Sequence, residues 1–196
     1  WSKMILPIVA YGHPVLRSKC IDIDSSYKDL DKLMRDMWDT MYSSDGVGLA
    51  APQIGKSLRL FIVDANPLSD NEEFDEKLKM VMINPKVVKS SESISSFNEG
   101  CLSIPDVRGE VLRPEIIEIE YYDENFNFKR SMFDGIISRV IQHEYDHIDG
   151  KLFTDKLSSF KRKIIEKKLM KISKGNINTS YSMKFFKKWK HKIIFQ

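Results

Sequence analysis

The chain reads as an α+β protein, and three observations carry that reading. Apolar residues recur at spacings of three and four in three separate segments, the signature of amphipathic helices. Between the first two of these lie many short runs of strand character at irregular intervals. Helices and strands do not alternate one for one, so the βαβ unit of a doubly wound sheet is not supported. No internal repeat and no second core are evident, so one domain spans residues 1–173, and 174–196 form a basic C-terminal extension.

Residues 5–23 hold Pro7 and Pro14 and little helical periodicity, which predicts an extended segment. From 25 to 43, Leu30, Leu33, Met34, Met37, Trp38 and Met41 form an apolar stripe behind a cap at Ser25 or Ser26. Gly46 and Gly48 break that helix. Leu58 to Asp64 is a strand, and 65–78 a polar loop. Met80 to Ile83 and Val87–Val88 are predicted as two strands around a turn at Asn84-Pro85. Glu99 to Ile104 is a short strand, followed by Val111–Leu112 and Ile116 to Tyr122. A turn over 123–125 leads into a return strand, Phe126 to Met132. A broadly apolar helix then covers 134–149, with Asp134 at its N-cap and Gly150 at its end. The last helix runs from about Ser158 to Ser173.

Composition excludes several classes. At 42% hydrophobic and 30% charged, the 196 residues suit a globular core rather than disorder. No apolar run approaches the ~18 residues of a membrane span. Two cysteines, Cys20 and Cys101, are too few for a disulfide framework. The net charge of +3 hides an asymmetry: residues 155–196 carry thirteen Lys/Arg against two acids, a balance of +11, and the rest carries −8. A basic end invites an anionic partner such as nucleic acid, although a solvated lysine-rich helix is the simpler reading of any one such run.

The strongest chemical signal is His143-Glu144-Tyr145-Asp146-His147. On a helix, residues four apart share a face, so two imidazoles can address one metal ion, with Glu144 alongside as a general base. A hydrolytic site needs a third ligand and an open position for water. Downstream, only Asp149, Asp155, Glu166 and His191 are candidates; upstream, Cys101 follows Gly100 in a short strand and completes a Cys-His-His set. Cys20 has no such setting and reads as packing. In Gly46-Val-Gly-Leu-Ala-Ala-Pro-Gln53, small residues allow close backbone approach, and the Gln53 amide is a donor suited to an oxyanion. The segment lacks the Gly-Lys-Ser/Thr ending of a phosphate loop, so no nucleotide cofactor is expected.

Gly46 to Gln53, Glu99-Gly-Cys-Leu-Ser103 and Gln142-His-Glu-Tyr-Asp-His147 together resemble the three signature motifs of the peptide deformylases, in that family's order. Pro14 to Arg17 and Gly135 to Arg139 extend the likeness over about residues 5–170; Ile148 stands where Leu is usual. The resemblance implies antiparallel sheets packed around a central metal-binding helix, with a C-terminal helix. It implies removal of the formyl group from formyl-Met nascent peptides, releasing formate. It also implies one divalent ion per chain, natively Fe²⁺, with Zn²⁺, Ni²⁺ or Co²⁺ able to substitute.

By motif position, Cys101, His143 and His147 would hold the metal, and Glu144 would move the proton. Gln53 and the Leu102 N–H would stabilise the oxyanion. The substrate would pair as an added strand near Val47–Gly48 and Phe97–Gly100. Val47, Phe97, Leu102, Ile136 and Val140 would line the methionine pocket. Glu99 and Arg108 would be charges near the metal or substrate, or a plain structural ion pair, and Asp146 would orient a ligand or fix the helix. Two rivals remain: a His-Glu-x-x-His metallopeptidase, and a non-catalytic RNA- or ribosome-binding protein using the basic tail. In bacterial relatives the C-terminal helix docks on the ribosome, which makes 155–173 a candidate docking element. A first residue of Trp1 and the basic extension point to a plastid or mitochondrion, with the bacterial cytoplasm as the alternative.

Overall fold

Leu60-Phe-Ile-Val63 is apolar without alternation, and the fold shows why: both faces of its sheet are covered. In the computed structural model, which describes residues 3–68 and 75–186, strand β3 (Leu60–Asp64) lies inside a five-stranded antiparallel sheet. Its neighbours are β2 (Gly48–Ala50) on one side and β4 (Lys79–Ser90) on the other, followed by β7 (Ile117–Tyr122) and β8 (Phe128–Phe133). Side chains alternate across a strand. Leu60 and Ile62 pack with Val81 and Ile83 against Met34, Met37 and Met41 of helix α1 (Leu30–Ser43). Phe61 and Val63 pack with Met82 and Ile119 against Ile137, Val140 and Ile141 of helix α2 (Gly135–Ile148). Each fully buried side chain of this kind contributes about 1.5–3 kcal/mol.

A hairpin of β5 (Ile94–Cys101) and β6 (Ile104–Pro114) stands apart from that sheet. Val107 and Val111 of β6 share a third apolar cluster with Phe153, Leu157 and Ile165, the last on helix α3 (Ser159–Ser173). The short strands β1 (Ile8–Val9) and β9 (Met183–Lys184) pair in parallel. α2 thus lies between the large sheet and the hairpin, with a C-terminal helix beyond, as expected of an α+β fold.

Three local expectations give way. The 80–83 and 87–88 strands are one strand, β4, because Asn84-Pro85 makes a bulge and not a turn. Asn84 adopts φ 51°; its N–H donates to the Arg59 carbonyl at 2.8 Å, and its side chain bonds both backbone groups of Ile23 at 2.7 and 2.8 Å. The 99–104 segment is not one strand: it contains the tight turn Leu102–Ser103 that joins β5 to β6. α1 starts at Leu30, since Asp24 Oδ1 accepts from the Ser26 N–H at 2.8 Å and forms a turn ahead of the helix. Asp134 does sit at the N-cap of α2 but makes no capping bond, whereas Ser158 caps α3 through the Lys161 N–H at 3.2 Å. Part of the polar 65–78 loop (residues 69–74), and His191 and Trp189 in the basic tail, lie outside the described residues.

Candidate metal and substrate site

α2 carries His143 and His147 one turn apart on its inner face, their rings 5.1 Å apart and edge-on. The β5–β6 turn brings Cys101 up to them, with Sγ 3.3 Å from His147 Nε2. One ligand atom from each of the three lies within 4.8 Å of the others. The donor set fits a divalent ion with N and S preference. The ring orientations fit as well: His143 Nδ1 is engaged by Glu99 Oε2 at 2.9 Å, which turns Nε2 toward Cys101.

Glu99 is the hub behind the ligands. It receives Arg113 through two bonds of 2.7 and 2.9 Å and Arg139 at 3.2 Å. Arg113 also reaches Asp146 at 2.6 Å. Asp146 touches no ligand directly: Arg113 lies between it and Glu99. Burial alone would raise the Glu99 carboxyl; Arg113 and His143 reverse this and hold it far below the usual carboxylate range. Arg113 went unnoticed in sequence because its signal is three-dimensional, a lone arginine in a strand with no motif around it.

The two histidines titrate in opposite directions. Against burial, Cys101 and Glu99 raise His143 well above its ordinary value. Burial and the neighbouring His143 push His147 well below it. A divalent ion bound by these rings would compete with any proton on them.

Glu144 is also buried, and burial pushes its carboxyl up to about 7. Its Oε2 has no hydrogen-bond partner. The carboxylate lies over the backbone of Gly48, where an added Cβ would come within 2.8 Å of Glu144 Cδ. A glycine is needed there because the carboxylate occupies the space a side chain would take. Gln53 faces Cys101 and Ser103, donating from Nε2 at 3.5 and 3.4 Å, while its Oε1 accepts the Ala50 N–H at 2.8 Å.

These groups open onto a cavity of about 490 Å³ between the edge of β2 and the edge of β5. Val47, Gly48, Gln53, Phe97, Glu99, Gly100, Cys101, Leu102, Arg108, Val140, His143 and Glu144 all line it. His147, the third member of the ligand cluster, is not among the residues that line the cavity. Ile136 is not on the wall: it lies on the first turn of α2 and packs with the cluster around Phe61 and Ile119. The wall also includes Asn178 to Tyr181, from beyond the last helix, which the sequence did not flag because this stretch carries no motif.

A helix-borne histidine pair, a strand-borne thiol and a buried carboxylate beside an open cavity define a metal-dependent hydrolase. The polypeptide deformylase family model matches residues 5–163, and the chain belongs to the peptide deformylase family. A peptide deformylase of Christiangramia forsetii is 52% identical over 189 residues, covering 93% of this chain and 96% of its own. One of Flavobacterium psychrophilum is 52% identical, covering 94% and 99%. Among solved structures, a peptide deformylase from Plasmodium falciparum superposes with a TM-score of 0.78 at 36% identity, covering 86% of this chain and 95% of its own. One from Legionella pneumophila gives 0.76 at 37%, covering 88% and 97%.

These comparisons overturn the organellar expectation. The 52% relatives are bacterial, and Cytophaga hutchinsonii and Chlorobium phaeobacteroides add relatives at 46% and 47%, whereas the Plasmodium chain is 36% identical. The basic extension and first residue carried no information about compartment, since lysine-rich ends arise from genome composition and solvation alike. Among the described residues, no helix is long and apolar enough to cross a membrane.

Proposed function

We propose that the cluster performs deformylation of formyl-Met peptides, the family's reaction, with the following division of labour. Cys101, His143 and His147 would hold one divalent ion, Fe²⁺ in the native enzyme. Bound there, such an ion supplies Lewis acidity toward water and the formyl carbonyl. Glu144 takes the proton of the attacking water and delivers it to the departing amine. Burial raises its carboxyl in the metal-free protein, the direction that favours accepting that proton. Gln53 Nε2 and the Leu102 N–H stabilise the developing oxyanion. The peptide lies between the two sheet edges as an added strand, with Val47, Phe97, Leu102 and Val140 around the methionine side chain.

The single observation that carries this reading is the buried carboxylate of Glu144 facing the cavity beside the ligand cluster, its Oε2 without a hydrogen-bond partner among the described residues. An unpartnered buried carboxylate costs stability, and a catalytic role accounts for its retention. The test is formate release from formyl-Met-Ala-Ser by anaerobically prepared protein, with metal content measured on the same sample. Rapid release tracking Fe²⁺ content supports the assignment. Release tracking Zn²⁺ alone would overturn the choice of iron, and cleavage of internal peptide bonds would favour the metallopeptidase.

Ribosome contact through the basic C-terminal helix belongs to the same reading. Lys161, Arg162, Lys163, Lys167 and Lys171 of α3 are all exposed, and so are Phe160 and Ile164 among them. Binding to ribosomes that weakens steeply with salt and is lost on reversing these charges would support it.

A further inference from the structure

The turn that carries Cys101 and Leu102 is held from outside by a segment that no motif touches. Beyond α3 the chain doubles back, and residues 178–181 form one wall of the cavity before β9 pairs with β1. The Tyr181 hydroxyl donates to the Leu102 carbonyl at 2.7 Å. The Tyr11 N–H donates to the Ser103 carbonyl at 2.9 Å, and Gln53 reaches the Ser103 hydroxyl. Both carbonyls of the two-residue turn are thus fixed from elsewhere in the fold. Tyr181 is itself fixed: its ring packs on the α1 cluster, and its carbonyl accepts from Thr179 Oγ1 at 2.7 Å.

The Leu102 C=O and N–H lie on either side of one Cα. Pinning the carbonyl limits rotation about the bonds that also set where the N–H points. We infer that Tyr181 is a positioning residue for deformylation: its hydroxyl holds the Leu102–Ser103 turn so that the Leu102 N–H stays aimed at the formyl oxygen. This rests on the oxyanion role assigned to that N–H above. Among the described residues Tyr181 makes no hydrogen bond to Cys101, His143, His147 or Glu144, so its effect should fall on the chemical step more than on metal binding.

The test compares metal-loaded wild type with Tyr181→Phe, which keeps the ring and removes the donor. For formyl-Met-Ala-Ser, kcat should fall about tenfold, well inside the ~10²-fold that a 1 Å misplacement can cost. KM should stay within about twofold and metal content should be unchanged, the pattern of an interaction made mainly in the transition state. Unchanged kcat overturns the inference. So does a raised KM with kcat intact, which would make Tyr181 only a wall. A loss of kcat in proportion to lost metal overturns it too, because the role would then be structural. Should Tyr181→Phe fail to fold, Thr179→Val keeps the phenol and frees its carbonyl; a smaller fall in kcat is expected, and none overturns the inference. A wild type that releases no formate would instead overturn the catalytic assignment beneath.

Discussion

The carboxylate of Glu99 and the imidazole of His143 meet at 2.9 Å, Oε2 to Nδ1, and this contact decides which ring nitrogen faces the cavity. The same carboxylate neutralises Arg113 and shares Arg139, so one buried residue orients a ligand and anchors two cations.

Glu99→Gln should therefore fail twice. Metal affinity should fall about 10- to 100-fold, since outer partners of ligating histidines are worth that much. Stability should fall by about 3 kcal/mol, because Arg113 keeps its buried charge and loses its main partner. Metal titration and a thermal melt of the metal-free protein separate the two effects.

Glu144→Gln should leave the metal in place, because Glu144 is not among the three ligands. Turnover should drop by at least ~10²-fold, the lower end of what a positioned acid–base group supplies. Metal analysis and formate release on one preparation check this; a variant that loses metal but turns over normally when reconstituted contradicts it.

Gly48→Ala should fold and still lose activity. The new Cβ has Glu144 Cδ within 2.8 Å, so the carboxylate must move. Overpacking of this size costs about 1–3 kcal/mol. A kcat reduced more than about tenfold with full metal content is the expected outcome, in line with the sensitivity of reaction geometry to small displacements.

The two cysteines should separate under alkylation. Burial pushes the Cys20 thiol up to about 11, so it stays protonated and unreactive at pH 8. Cys101 lines the cavity and should react in the metal-free protein and be protected when metal is bound. Mass spectrometry after iodoacetamide treatment, with and without metal, reads this out.

Acid should weaken the junction of the N-terminal segment with the region after α2. Burial alone would raise the Asp155 carboxyl, but bonds from Arg17 and the Leu152 N–H outweigh it and hold the carboxyl below its ordinary value. A depressed pKa contributes stability above the unfolded value of 3.8 and loses it as pH falls through the folded one. The melting temperatures of wild type and Asp155→Asn should thus differ at pH 6 and converge below pH 3. The gap should be small, because the pair is partly exposed.

α2 and its two histidines were legible from local spacing, whereas Cys101 and the Gly46–Gln53 segment gained meaning only beside that pair and through their likeness to family motifs. Periodicity placed α2 and α3 within a residue or two. What sequence could not show is what depends on distant partners. Asn84-Pro85 looks like a turn until Ile23 and Arg59 are seen satisfying the bulge. Ile136 looks like a pocket residue by position, but α2 turns it toward the large sheet. Arg113 and Tyr181 have no local signature, since their meaning comes from Glu99 and Leu102, residues brought near only by folding.

The parallel pairing of Ile8–Val9 with Met183–Lys184 sets an order of events during synthesis. β1 waits for β9, which is made only after α3. Tyr181, 79 residues after Leu102, likewise reaches the turn only after α3 has emerged. Until then the ligand cluster can gather on α2 and the β5–β6 hairpin while the turn beside it stays loose. The nascent enzyme would hold its ligands before it holds its geometry.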